Sequence, residues 1–130
     1  MPTLTPTLTL TSTDATSDEL SFSVTDSLSV KAPSQSLSTV IADGTGGNTI
    51  IKTATTNTVY LFIRHTGTTD GSTGTAHQLD VETTADEGVA RLKANEWLFM
   101  PFSHSAANVG IQLQTTSGSI QVEYAYWTQV

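Results

Sequence analysis

The 130-residue sequence has no cysteine, only five basic side chains, no long apolar run and few aromatic residues. Without cysteine there are no disulfide staples, no zinc–thiolate sites and no thiol catalysis. The basic residues Lys31, Lys52, Arg64, Arg91 and Lys93 are scattered along the chain and outnumbered by 12 acids, for a formal net charge of -7. Such a chain lacks the cationic footprint required by nucleic acid or an anionic membrane surface, so neither is an expected partner. The longest apolar runs, 59–63 and 97–100, fall far short of the ~18–20 residues of a spanning helix. The opening Met-Pro-Thr-Leu-Thr-Pro has neither a basic nor a continuous apolar region, so synthesis in a cytoplasm without signal-directed export is expected. No Asn has Ser or Thr two positions later, which removes N-glycosylation.

Charged residues are also scarce, at 13% against the ~25% usual in soluble domains. Ser and Thr fill the gap and approach a third of the chain. That bias suits a disordered tail or a mucin-like stalk as well as a folded domain. Leu, Ile, Val and Phe decide between them: at about 23% they exceed the ~20% below which disorder is the default. The length is that of one domain.

What the chain does have is a period of two. Leu4, Leu8 and Leu10 alternate with Thr3, Thr5, Thr7, Thr9 and Thr11, giving one apolar and one hydroxylated face. Pro6 cannot donate a ladder hydrogen bond, which confines this segment to a sheet edge or an extended arm. After the turn-forming Thr13-Asp14-Ala15-Thr16-Ser17-Asp18, the pattern resumes at Leu20, Phe22 and Val24, then at Leu28 and Val30. Strands follow at 37–42 and 49–53, joined by Asp43-Gly44-Thr45-Gly46-Gly47-Asn48, whose glycine content predicts a hairpin. The segment 57–65 is apolar on both faces and reads as a central strand. A long loop, Gly67-Thr-Thr-Asp-Gly-Ser-Thr-Gly-Thr75, leads to a strand begun by His77, and further strands are expected over 89–94 and 97–102, the apolar run of the last being closed by Pro101. Val109, Ile111 and Leu113, a Thr116-Ser117-Gly118 turn, and Ile120, Val122, Tyr124 and Tyr126 predict a terminal hairpin. Nine or ten short strands and no convincing helix indicate an all-β, antiparallel β-sandwich or jelly-roll-like domain. Residues 1–19 read as an N-terminal arm or edge strand with its loop, and 20–130 as the sandwich.

Catalytic patterns are weak. His65, His77 and His104 lack metal-ligand spacing, and Ser103-His104-Ser105 lacks a nucleophile elbow. The acids Asp14, Asp18, Glu19, Asp26, Asp86 and Glu87 have no EF-hand spacing and suit solvated turns. Asp80 and Glu82 share the polar face of one strand; with Glu96 they make a glycosidase pair only by accident of folding. No enzyme activity, metal or cofactor is expected. Trp127 falls opposite Ile120, Val122, Tyr124 and Tyr126, and the segment 97–100 is apolar on both faces, so a second layer or another subunit is needed to cover them. A sugar-stacking Trp is a third option.

The run from Ala90 to Phe102, with Leu92-Lys-Ala-Asn95-Glu96-Trp97-Leu-Phe-Met-Pro101 at its centre, and the closing Gly118-Ser-Ile-Gln-Val-Glu-Tyr-Ala-Tyr-Trp127 resemble small virion structural proteins of tailed bacteriophages, especially cyanophage-like ones. Those proteins carry a Leu-x-x-Gly/Asn-Glu-Phe/Trp-x-x-x-Pro strand and a later Val-Glu-Tyr strand. The resemblance covers the last third by motif and the rest by composition. It implies a capsid decoration or cement protein on the virion surface, with a tail or fibre component as the alternative. It also implies the major capsid protein or other virion proteins as partners, and it supplies no active site. A homo-oligomer is expected. The residues expected at partner contacts are Leu4, Leu8, Leu10, Trp97 and Trp127, and residues 2–12 are expected to augment a neighbouring sheet.

Overall fold

The computed structural model describes residues 2–31, 35–44, 47–51, 58–106 and 109–130. Among them there are twelve strands and no helix. The first four, β1 (Thr3–Leu4), β2 (Thr7–Ser12), β3 (Leu20–Thr25) and β4 (Leu28–Ser29), form a ribbon in which β1 pairs with β4 and β2 with β3. The other eight are β5 (Gln35–Ala42), β6 (Asn48–Ile51), β7 (Val59–His65), β8 (Leu79–Thr83), β9 (Gly88–Leu92), β10 (Trp97–Phe102), β11 (Ile111–Thr115) and β12 (Ile120–Thr128). They make two four-stranded antiparallel sheets, ordered β10-β7-β12-β5 and β6-β11-β8-β9. The chain is therefore all-β and antiparallel, as the alternation indicates.

The pairing is nested. β5 pairs with β12, β6 with β11, β7 with β10 and β8 with β9, as if one long hairpin had been rolled until β7 met β12 and β8 met β11. Rolling places alternate residues of both sheets on one inner surface. Leu61, Ile63 and Val122 from the first sheet and Leu79, Val81, Ile111 and Leu113 from the second are fully buried in a single cluster. β7 is an inner strand, flanked by β10 and β12; its Val59, Leu61 and Ile63 face the core, while Tyr60 and Phe62 are half-buried on the outer face.

Two connections differ from the sequence-based expectation. The glycine-rich loop after Ala42 joins β5 to β6, which lie in opposite sheets, so it is an arch and not a hairpin. The Thr116-Ser117-Gly118 turn likewise carries the chain from β11 in one sheet to β12 in the other. A strand whose inner face is apolar satisfies either geometry, because both sheets present that face to one core ~10 Å thick. Of the consecutive pairs in the sandwich, only β8 and β9 form a hairpin among the described residues. β10 runs from Trp97 to Phe102, as expected, with Pro101 on the sheet edge, where a missing donor is tolerated. Thr45-Gly46, Lys52, the expected extension of β6 to Thr53 and the expected start of β7 at Asn57 lie outside the described residues.

Residues 19 and 20 both belong to the ribbon segment: β3 pairs with β2 and, among the described residues, with no strand of the sandwich. The ribbon is fastened at its base. Val30 bridges Gln129, the Lys31 N–H donates to the Thr128 carbonyl, and the Val30 N–H donates to the Pro2 carbonyl. Pro6 interrupts the ladder between β1 and β2 but still accepts from the Asp26 N–H.

Candidate functional site

The ribbon's outer half, β2 and β3, has two unlike faces. Thr7 pairs across the strands with Thr25, and Thr9 with Ser23, through hydroxyl–hydroxyl bonds of 2.9 and 3.0 Å. The opposite face carries the cross-strand pairs Leu8–Val24 and Leu10–Phe22. All four of these apolar side chains are exposed, Leu10 at 43%, Phe22 at 42% and Val24 at 57%. A two-stranded hairpin is marginal in water without a partner for its apolar face. At the tip, Ser12 Oγ accepts the N–H groups of Asp14 and Ala15, closing the turn that leads to Asp18 and Glu19.

The outer face of the β10-β7-β12-β5 sheet is the second apolar surface. Register places Trp97 beside Arg64, Phe99 beside Phe62 and Pro101 beside Tyr60, and on the other flank of β7 it places Trp127 beside Tyr60. Tyr60 and Phe99 stack with centroids 6.3 Å apart and planes 9° from parallel. Trp97 is 52% exposed. The only charges at these positions, Arg64 and Glu123, form an ion pair at 3.4 Å.

The two surfaces meet in a cleft of about 460 Å³. Leu8, Val24 and Leu28 line its ribbon wall; Tyr60, Trp97, Phe99 and Pro101 line its sheet wall. Thr7, Thr25 and Asp26 also border it. Of the residues expected from sequence at a partner contact, Leu8 and Trp97 are thus brought together. Leu10 continues the same strip toward the ribbon tip, Trp127 lies on the same sheet face, and Leu4 is half-buried at the base in β1. Sequence reasoning did not single out Phe22, Val24 or Tyr60, whereas Phe99 falls in the 97–100 segment for which it asked a cover. Alternation places Phe22 and Val24 on one face, but nothing in it tells that this face lies outside the sandwich core.

The titratable groups serve structure. His65 is fully buried at the end of β7; its Nδ1 accepts the Gly67 N–H at 2.9 Å and its Nε2 donates to the His77 carbonyl at 2.8 Å. It clamps both ends of the long loop between β7 and β8. Asp70 caps that loop's tip, accepting the Thr73 N–H at 2.8 Å, the Ser72 N–H at 2.9 Å and the Ser72 hydroxyl at 3.1 Å. These donors, the Thr73 N–H foremost, hold the Asp70 carboxyl below its ordinary value of 3.8. His104 has Nδ1 occupied by the Ala106 N–H and Nε2 directed at Glu87 Oε2, 3.2 Å away. Neither nitrogen bonds to Ser103 or Ser105. Asp80 takes a two-pronged bond from Arg91 on the adjacent strand, and this partner raises the Arg91 pKa further. Glu82 and Asp86 both accept from the Gln112 amide. Among the described residues no group of three or more His, Asp or Glu is placed to hold a metal ion. No protein-family model matches this chain, and no curated protein matches it significantly.

Proposed function

We propose that this protein is a non-enzymatic structural component of a virus particle, a decoration or cement protein that binds the assembled capsid and stabilises it. The observation carrying this reading is the ribbon of β2 and β3, whose apolar face, Leu8, Leu10, Phe22 and Val24, stays exposed beside the sandwich. Such a face is a contact waiting for a partner, since large exposed apolar patches mark interaction sites. The cleft beside it is walled by rings and aliphatic chains, with few groups able to orient a substrate.

The nested strand pairing supports a jelly roll, an architecture found in viral capsid proteins and in lectins and cupins. That analogy narrows the class of fold and leaves the target to the site. The likeness of the 90–102 and 118–127 segments to phage virion proteins supports the capsid. Attachment is passive: apolar area buried against many equivalent sites, with avidity from repetition. The stacked Tyr60 and Phe99 beside an exposed Trp97 favour a second reading, a carbohydrate-binding module. The sparse polar lining of the cleft disfavours it, because sugar recognition needs hydrogen-bonding groups around the platform.

The test adds purified protein to capsids stripped of decoration and measures what co-sediments. Saturation at a fixed copy number and a rise in the temperature of capsid disruption are expected. Recovery of all the protein in the supernatant, or binding confined to tails, would overturn the capsid assignment. Trp fluorescence quenched by oligosaccharides would instead establish the carbohydrate reading.

A further inference from the structure

We infer that the outer half of the ribbon is a hinged flap: β2 and β3 swing about the Pro6–Asp26 pair to close on the Tyr60, Trp97 and Phe99 face of their own chain, so that the free protein shields both apolar surfaces until a partner takes the ribbon. Closure is a property of the free chain and stands whatever the target; only its release by a capsid rests on the proposed function.

The joint is visible in the register. Leu4 opposes Leu28 in the base and Thr7 opposes Thr25 in the outer half, so the two ladders share one continuous register and Pro6 falls opposite Asp26. The Asp26 N–H donates to the Pro6 carbonyl at 3.1 Å. Proline has no N–H to return that bond, and the strands lapse over 5–6 and 26–27. Below the joint, the Val30–Gln129 bridge and the bond from the Lys31 N–H to the Thr128 carbonyl tie the base to the sandwich. Above it, β2 and β3 pair only with each other among the described residues. Hinges are a few residues at element ends that absorb the change of backbone angle, and a ladder with one bond at a pair bends there more easily than where the bonds are reciprocal. The direction of swing is set by the side chains. Leu28, half-buried in the base, lines the cleft together with Leu8 and Val24, so the apolar face of the ribbon is the one turned toward Tyr60, Trp97 and Phe99. About 460 Å³ of open space lies between the walls, and Val24 and Trp97 are still 57% and 52% exposed. Bringing two apolar walls together releases the water on both, which favours closure. Arg64, beside Trp97 on the sheet face, is already paired with Glu123 and is not stranded by it. The hydroxyls of Thr9 and Ser23 lie on the other face of the ribbon and stay in water.

The experiment follows Trp97 by acrylamide quenching, a neutral quencher that the acidic chain does not repel, in a Trp127→Phe background that leaves Trp97 as the one tryptophan. No particle is present. Trp97 is expected to be shielded and to emit to the blue of a solvent-exposed tryptophan. Leu8→Ser combined with Val24→Ser makes one wall polar and should raise the quenching and shift the emission to the red. Pro6→Val keeps the ribbon apolar and supplies the missing N–H. The net worth of one hydrogen bond should move the open-to-closed ratio about fivefold toward open, and quenching should rise with it. An unchanged Tm in each variant shows that the sandwich remains folded. Trp97 as accessible in the parent as in the double Ser variant overturns the inference. So does shielding that Pro6→Val leaves unchanged, which would place the movement elsewhere than at the joint, and so does shielding lost on dilution, which would mean that another chain covers the face. Capsid co-sedimentation is scored separately. A shielded Trp97 without capsid binding removes the proposed function and leaves the flap standing; capsid binding by a chain whose Trp97 is fully open does the reverse.

Discussion

His65 shows how a residue suited to catalysis is given over to architecture. Its ring is fully buried, and both nitrogens are taken by the main chain of the loop between β7 and β8. Replacing it with Ala leaves a cavity and two backbone groups without partners. A loss of ~2–5 kcal/mol in denaturant unfolding is expected. Asp70, at the tip of the same loop, is exposed, and its part is conditional on pH. Its folded pKa is lowered by the Thr73 and Ser72 donors, so its contribution is fully present above the ordinary value of 3.8 and is lost as pH falls through the lower folded value. In Tm scans from neutral pH down to about pH 2, Asp70→Asn should remove that part of the acid-induced fall while changing the slope near neutrality little. The sequence alone identifies the loop from its Gly, Thr and Asp content. It does not disclose the clamp, because His65 and His77 meet only when the loop closes.

Among the elements, the strands were legible and their partners were not. Strict alternation marks β2, β3, β7 and β12 in the sequence, and β7 stands out as central because Val59, Leu61 and Ile63 face one way and Tyr60 and Phe62 the other. The turns before β6 and β12 look like hairpin turns but cross between sheets. Gly118 reveals the demand of the second crossing. It adopts φ 67°, and a Cβ there comes within 2.9 Å of the His77 ring. Gly118→Ala should destabilise the fold by ~1–3 kcal/mol, measured by thermal unfolding, through the left-handed backbone and displacement of that ring. The ribbon is the opposite case. Its sequence pattern matches that of the core strands, yet its apolar face lies outside the core, along a cleft shared with Tyr60, Trp97 and Phe99, since the β1–β4 base and the Val30–Gln129 bridge fasten it beside the sandwich.

For the molecule as a whole, acidity and apolar attachment respond to salt in opposite ways. Two copies of net charge -7 repel over distances that salt screens. Apolar contact between neutral faces is not weakened by that screening. The proposed attachment to the capsid through the ribbon's apolar face should therefore hold or tighten as NaCl is raised from about 20 mM to 500 mM in co-sedimentation experiments. Attachment to a basic partner through the chain's acids would weaken over the same range. The amino-acid sequence by itself determined the all-β class, the places of most strands and the aromatic character of the 97–102 segment, because a period of two and side-chain polarity are local properties. It also determined the shortage of charge, which leaves hydroxyl groups to solvate the strand faces. Only the tertiary structure decided which apolar faces are core and which are left uncovered. Nested pairing rolls eight strands around a single interior and leaves Phe22 and Val24 lying outside it, where no local pattern distinguishes them from the residues within.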